Sequence, residues 1–573
     1  MLLNLIGYLQ KAETVVKYGC CKQRFFERSY AMKKTVSFIG VICLSFSLLA
    51  ACADTGTRRT SCLEDENVRP KVTKMIFYVS SDEADINLNK VKITPPYKNE
   101  NGTVFVPLKV LCDNLGAETE GDSPDTGIEI KSADTGVLVQ VGKSSITVNG
   151  EAVPGVGDPE TVDGEVVVPV EPVATALGAQ VRYDAEKDRV IVDKRSAPKR
   201  WQINTAMLDE IKAFVLKKTA ENAPTYQGEI PHATDKNGKY KLMDNPGWVA
   251  GFYTGLNYIC YGWSGDERYI DYAREVFPML KIYLRTRPEF YHHDLGFTFM
   301  LSYYQDYLLN GTESSKKVVI NAADVLMGRF TDVGYIRGWN VWGDDEFARN
   351  NRYRMICDSM CNIPILFTAS ELTGDKKYYD AAVSQADLTI KYLIRDDFTT
   401  THTFLFNPDG SPRCQQQYQG AYDASCWSRG HAWVINGMAQ AYKYTKDGRY
   451  LQAAKDLTDT YLIMTDDDLI PHWDFVFKGR SSEPRDTSAA AITACGLCDI
   501  YDATGDEFYK DTAYKILCEL YENYSSANEP DNQGLINHAT GNKPQHQNID
   551  VSLIYGDYYF AQLTDRFCSP DKY

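Results

Sequence analysis

The chain has 573 residues, 44% of them apolar and 12% aromatic, and carries a formal net charge of −16. That length calls for two or three folded units rather than one. The negative far field opposes nucleic acid and docking along long polyanions, while a short anionic ligand stays compatible if a few Arg or Lys side chains converge in one pocket. The 38 tyrosines suit carbohydrate-facing surfaces and helix packing alike.

Met32-Lys33-Lys34 followed by the apolar run 36–51 reads as a secretory signal and places the start of the translated chain at Met32. The run ends in Leu49-Ala50-Ala51-Cys52, which resembles the bacterial lipobox. The resemblance implies a diacylglycerol on Cys52, hence an exported bacterial lipoprotein at the cell surface or membrane that touches the bilayer only through its lipid. Residues 1–52 are then an upstream extension and signal, and 53–70 a tether. An ordinary signal with an incidental cysteine is the plainer alternative. No later run is long enough to span a bilayer. The 15 cysteines are scattered, several inside apolar helical stretches (Cys260, Cys357, Cys361), and read as small core residues rather than disulfides. Cys495-x-x-Cys498 lacks the second pair or nearby histidines of a zinc site, so no metal or other cofactor is expected.

From 71 to 194 the pattern turns to short β-rich runs with Gly and Asp turns, and it repeats. Gly102-Thr-Val-Phe-Val-Pro107-Leu, leading to Leu115-Gly116-Ala117, returns as Gly164-Glu-Val-Val-Val-Pro169-Val, leading to Leu177-Gly178-Ala179. Each copy predicts a strand ended by Pro, an amphipathic helix, a Gly cap and further strand. The pattern resembles the copper amine oxidase N-terminal-like domain, and the expected role is that of a spacer or wall-adhesion module. A linker around Pro198 follows.

After Trp201 the chain reads as helical to its end, and residues 200–573 form the second unit. Thr373-Gly-Asp375, Thr445-Lys-Asp447 and Thr504-Gly-Asp506 each close one helix, turn on an Asp cap and open another. Trp263-Ser-Gly-Asp266 does the same, and Asn310-Gly-Thr312 is a weaker version. Five or six such hairpins predict an (α/α)6 toroid, with an open solenoid as the alternative. A toroid gathers inner-helix ends around one pocket. In the stretch 353–375, Asp358 sits among Met355, Ile356, Met360 and Ile363, just ahead of a helix that Pro364 places near Asn362. Desolvation raises such a carboxyl pKa and a helix N-terminus lowers it. The sequence leaves that balance open, and a capping aspartate is the plainer reading. Three more stretches are unusually polar: 291–297 with His292, His293 and Asp294; 419–433 with Gln419, Arg429, His431 and Trp433; and 471–489. Converging Trp, Arg, Gln and two carboxylates are what a sugar-acid pocket requires.

WVAGFYTG at 248–255, HHDLGF at 292–297, CDSMCNIPILF at 357–367, WSRGHAW at 427–433, RDTSAAAI at 485–492 and IDVSLIYGDYYF at 549–560 together resemble glycoside hydrolase family 88, the unsaturated glucuronyl hydrolases. The resemblance covers the chain from about Trp201 onward. It implies an (α/α)6 fold and removal of 4,5-unsaturated glucuronic acid from lyase-generated oligosaccharides by hydration of the enol ether. It further implies Asp358 as general acid/base and Asp294 as the second aspartate, whose charge would raise the Asp358 pKa. Trp248 and Trp342 would stack on the sugar, with His293, His402, Gln419, Arg429 and Trp433 as polar and aromatic lining. His431 stands where the family usually has Gln, which would alter ring contacts or pH dependence. Lys543, in a segment without the serines that some members use, could attract sulfate. The alternatives are an unsaturated rhamnogalacturonyl hydrolase acting on pectin fragments and a non-catalytic glycan-binding lipoprotein.

Overall fold

The computed structural model describes residues 69–572, apart from 121–126, 133–134, 144, 155–156 and 197–201. The signal, Cys52, the tether up to residue 68, Pro198 and Trp201 lie outside the described residues. Among those described, no helix is long and apolar enough to cross a membrane.

The front module is built on its repeat. Val104–Pro107 runs into helix Leu108–Leu115, and Glu165–Pro169 runs into helix Val170–Ala176. The two proline-ended strands pair antiparallel, Val168 opposite Val106, so the copies meet through their equivalent edges. Pro ends each strand and serves at the helix start, where its missing N–H costs nothing. Strand Lys71–Tyr78 pairs along its whole length with Arg189–Ser196, closing the module's first strand on its last.

The second unit is a ring of twelve helical layers. Inner layers are Ala250–Ser264, Leu295–Met300 continued by Tyr303–Asn310, Pro364–Thr373, Ser428–Thr445, Thr487–Thr504 and Ile554–Cys568. Outer layers are Thr205–Tyr226, Arg268–Glu275 continued by Phe277–Thr286, Glu313–Met327, Lys376–Tyr392, Gly448–Met464 and Glu507–Tyr524. Each inner helix packs on the next and the last returns to the first, so the closed toroid forms. The turns are those the sequence predicts: Asp375, Asp447 and Asp506 accept from Lys377 N, Arg449 N and Phe508 N at 3.0, 2.9 and 3.1 Å. Inner helices approach closely where glycine removes a side chain. A Cβ on Gly296 would stand 2.4 Å from Asn362 Cα, and one on Gly437 2.4 Å from the Met360 Cβ.

The expectation of helix to the end fails in two places: Ile230–Thr234 pairs antiparallel with Tyr240–Met243, and a second sheet is the more informative. Arg354–Ile356, Thr403–Phe406 and Pro412–Gln416 form a three-stranded sheet inserted between ring helices. These strands are three to five residues long, and at that length periodicity does not separate strand from helix. The sheet carries Asp358 and His402 to the ring's mouth. Of ten described cysteines, all free, eight are buried, which agrees with their reading as core residues, and Cys414 is exposed.

Candidate active site

The N-terminal ends of the inner helices surround a cavity with an empty volume of about 600 Å³, lined by Trp248, His292, His293, Asp294, Trp339, Asp358, Tyr418, Gln419, Trp427, Arg429 and Asn542. Both aspartates therefore face one space. Asp358 sits in a short 3-10 turn, Cys357–Cys361, immediately before helix Pro364–Thr373. Asp294 is the residue before helix Leu295–Met300. Asn362 ties the two segments: its Nδ2 donates to the Asp358 carbonyl at 3.0 Å and lies 3.5 Å from Asp294 Oδ1, while its Oδ1 accepts from Phe297 N at 2.8 Å.

The carboxyl groups divide their roles by environment. Burial pushes Asp294 well above the ordinary carboxylate range, and the charge of Asp358 adds to the push. Burial works the same way on Asp358, but His402 beside it, then His293 and the Cys357 thiol, hold it below its ordinary value. His402 Nε2 is 3.6 Å from Asp358 Oδ2, and Cys357 Sγ donates to the same oxygen at 3.2 Å. Of the two carboxyls, Asp294 thus has the higher proton affinity. This reverses the expectation that Asp294 would be the charge raising Asp358. Partner effects that sequence could not weigh against burial prevail at Asp358, and burial prevails at Asp294.

Trp248 lines the cavity and leans on Tyr555, ring centroids 4.9 Å apart. His293 Nε2 is 3.3 Å from Asp294 Oδ1, and burial drives its pKa down to about 3. His402 is buried behind the lining, its Nδ1 accepting from Gln419 N at 3.2 Å. Gln419 Nε2 in turn donates to Gly541 O at 3.3 Å.

Arg429 lines the cavity, yet it is not an uncommitted fork waiting for a carboxylate. One terminal nitrogen donates to Asp486 Oδ2 at 2.5 Å and to Thr540 O, and the other to Gly541 O. The guanidinium lies over Trp427 at 4.7 Å and Tyr555 at 5.3 Å. Its geometry fixes the 540–542 loop, which brings Asn542 into the lining, and adds positive potential.

Besides His402, three expected contacts fall elsewhere: Trp433, Trp342 and Lys543. Trp433 is wholly buried, packed on Phe297 at 4.8 Å and Tyr559 at 5.7 Å, and is absent from the cavity wall. It lies five residues beyond Ser428, where the inner helix has turned it into the core. Trp342 is 61% exposed on the loop outside the lining, beside Phe290 and His292. Trp339 takes the wall position instead, within an aromatic cluster with Phe347 and Tyr418 backed by the buried guanidinium of Arg354 at 5.5 Å. Lys543 is outside the lining next to Asn542, 3.9 Å from Glu483. His431 does not reach the cavity: its Nε2 donates to Leu457 O at 2.9 Å and its Nδ1 accepts from Thr400 Oγ1 at 3.2 Å. The sequence reading missed Trp339, Tyr418, Trp427, His292 and Asn542 as lining. Trp427 and His292 lie inside motifs already singled out, whereas Trp339 and Trp342 are three apart in an irregular loop that has no periodicity to choose between them.

Among the described residues, two groups bring three potential ligand atoms within 4.8 Å of one another: Cys357, Asp358 and His402; and Asp193, Asp456 and Asp459. In the first, burial holds Cys357 as a thiol that donates to Asp358, which is not the thiolate a metal needs. In the second, the Lys74 ammonium already sits 2.5–3.2 Å from all three carboxylates.

Residues 223–566 match the family described as Glycosyl Hydrolase Family 88, and residues 85–192 match the Copper amine oxidase N-terminal domain. The latter segment contains no histidine and one cysteine, the buried Cys112, so its donors do not fit a copper centre. An unsaturated glucuronyl hydrolase of Bacillus sp. (strain GL1) is 33% identical over 60% of this chain and 92% of its own length. An unsaturated chondroitin disaccharide hydrolase of Streptococcus agalactiae is 32% identical over 66% of this chain and 96% of its own. The crystal structure of the Bacillus sp. GL1 enzyme superposes with a TM-score of 0.61, covering 63% of this chain and 97% of that one. A heparin-specific unsaturated glucuronyl hydrolase gives 0.60 at 28% identity, over 65% and 99%. The chain belongs to glycosyl hydrolase family 88 and is a glycoside hydrolase of the unsaturated glucuronyl hydrolase type.

Proposed function

We propose that the enzyme removes 4,5-unsaturated glucuronic acid from the non-reducing end of glycosaminoglycan-derived oligosaccharides by adding water across the enol ether. The observation that carries this reading is the pair of aspartates facing one aromatic-walled cavity, one carboxyl held low and the other high. The substrate is planar at C4–C5 and bears a carboxylate. Flat rings at Trp248, Trp339 and Trp427 suit the first property. The buried guanidinium of Arg429, with Arg354 and Arg329 behind the wall, suits the second in a chain that is otherwise strongly acidic.

In the bound state the substrate carboxylate adds negative charge to the pocket and raises the proton affinity of Asp358. Asp358 then gives its proton to C4 as the double bond's electrons move, leaving positive charge shared between C5 and the ring oxygen. Water attacks C5 and loses its proton to the same carboxylate. The resulting hemiketal opens, releasing the neighbouring sugar's hydroxyl and the ring-opened uronate. Asp294 holds the ring hydroxyls by hydrogen bonds. This scheme needs one acid/base and no glycosyl-enzyme intermediate, unlike ordinary two-carboxylate glycosidases.

The test is a panel of lyase digests (chondroitin, hyaluronan, heparin, rhamnogalacturonan), with products read by mass spectrometry and by loss of the unsaturated ultraviolet absorbance. Turnover of glycosaminoglycan disaccharides is expected. Turnover of the rhamnogalacturonan product alone would overturn the substrate class. We also propose that the protein is exported and lipidated at Cys52, supported by the basic, apolar and small-residue order of 32–52. Cys52→Ser should release it from the membrane fraction.

A further inference from the structure

The front module is docked on the ring through a buried ion cluster and a clamped turn, and both lead to the same short segment. Lys74 lies between Asp193 of its own module and Asp456 and Asp459 of the outer helix Gly448–Met464, at 2.5, 3.0 and 3.2 Å. Arg195 pairs with Asp459 at 2.7 Å and Arg182 with Asp456 at 2.6 Å. Three cations thus meet three carboxylates across the seam. Between those two carboxylates, Leu457 O accepts from His431, and the other nitrogen of His431 holds Thr400.

The second contact is a turn, 395–400. Phe398 there has φ +62°, a conformation unfavourable for a bulky residue unless its surroundings hold it. Its buried ring lies 4.9 Å from Lys74 Nζ and 5.1 Å from Arg189 Cζ, both from the module. Arg189 also donates to Asp396 O, and Lys187 pairs with the Asp396 carboxylate. Inside the turn, Arg395 donates to Thr400 O at 3.0 Å. Thr400 is therefore gripped from both sides by elements the module holds. Two residues on, His402 presents its Nε2 to Asp358 and its carbonyl to Cys357 N at 3.0 Å.

We infer that the front module is a working part of the catalytic site rather than a spacer: through Arg189 on the turn and through Lys74 on Asp456 and Asp459, it positions the Thr400–His402 segment and so sets His402 against Asp358. Arg189 and Lys74 are positioning residues in this account, which rests on the reading of Asp358 as the acid. A simple spacer has no need of a seam whose buried charges become strongly unfavourable when one partner is removed. His402 acts on the acid and lies behind the lining, so disturbing it should weigh on kcat more than on KM.

The test uses the full-length protein. In Arg189→Met, amide exchange followed by mass spectrometry should rise in the peptide spanning 393–404, and kcat on an unsaturated glycosaminoglycan disaccharide should fall about tenfold with KM within twofold. Arg189→Lys should restore kcat to within about threefold. If Arg189→Met does not fold, Thr400→Val, which removes the hydroxyl that His431 holds, should give the same split. Unchanged exchange at 393–404 together with wild-type kcat in a folded variant overturns the inference. Wild-type turnover by Asp358→Asn would instead overturn the assignment of the acid. The exchange result does not depend on that assignment.

Discussion

His402 Nε2 stands 3.6 Å from Asp358 Oδ2, and the imidazole is shut away from bulk water behind the Trp339 and Trp427 rings, 5.4 and 4.5 Å from it, while Asp358 lines the cavity. On the proposed mechanism, the acid that protonates carbon is thus kept ionised in the free enzyme until substrate arrives. Burial pushes its pKa up while His402, His293 and Cys357 pull it down further. The proposed mechanism makes the protonated form the active acid, so kcat/KM should decline as pH rises through the Asp358 pKa. His402→Gln removes the largest downward pull, so the declining limb should move to higher pH. A pH–rate profile showing no movement, or movement to lower pH, contradicts this account of the pair.

Asp358→Asn keeps the volume of the side chain and removes the proton. General acid–base catalysis contributes on the order of 10²–10⁴-fold, so loss of ultraviolet absorbance from an unsaturated disaccharide should slow by at least about 10²-fold. Binding of the same disaccharide, followed by calorimetry, should persist, which separates lost chemistry from a collapsed pocket.

Trp339 and Trp433 should behave oppositely. Trp339 is part of the wall, and losing one aromatic face against the sugar is worth about 1–1.5 kcal/mol, so Trp339→Ala should raise KM roughly tenfold. Trp433 is buried between Phe297 and Tyr559. Trp433→Ala should cost about 3–5 kcal/mol of stability, seen in denaturant titration, with KM close to wild type in the folded fraction.

That contrast marks how far the sequence could be read. The hairpins were legible because an Asp two residues before a free backbone N–H is a local signal, and the structure repeats it at Asp375, Asp447 and Asp506. Asp294 and Asp358 stood out as charges against apolar helix starts. What escaped was set by long-range packing. Trp433 follows Arg429 by one helical turn, yet the helix buries it below the cavity floor. The downward shift of Asp358 depended on His402, which a short sheet of unremarkable strands delivers from 44 positions away, and the upward shift of Asp294 on how deeply the fold buries it.

Gly296 gives a direct probe of that packing. A Cβ there would meet Asn362 Cα and O at 2.4 Å, and Asn362 is the residue joined to both aspartate segments. Backbone cannot yield as a flexible side chain does. Gly296→Ala should therefore destabilise the ring by about 1–3 kcal/mol and lower kcat at least tenfold by separating Asp294 from Asp358, whereas Gly448→Ala, with open space around its Cβ, should leave kcat unchanged.

Asp557 carries a prediction about stability rather than rate. It sits on the last inner helix, accepts from Tyr240 Oη, Leu535 N and Ile536 N at 2.6, 2.8 and 3.1 Å, and burial raises its pKa to about 7. The folded state therefore binds a proton more tightly than the unfolded chain, whose Asp titrates near 4. Linkage then gives a contribution present in full below about pH 4 and lost as pH rises to about 7, at up to 1.4 kcal/mol per pH unit. Denaturant midpoints taken across that interval should fall with rising pH. Asp557→Asn lowers stability overall, because its amide N–H₂ faces a backbone donor, but it should flatten the slope. The slope is the diagnostic quantity: an Asn variant with the wild-type slope would mean that the 535–536 loop is held by a carboxylate that stays charged throughout.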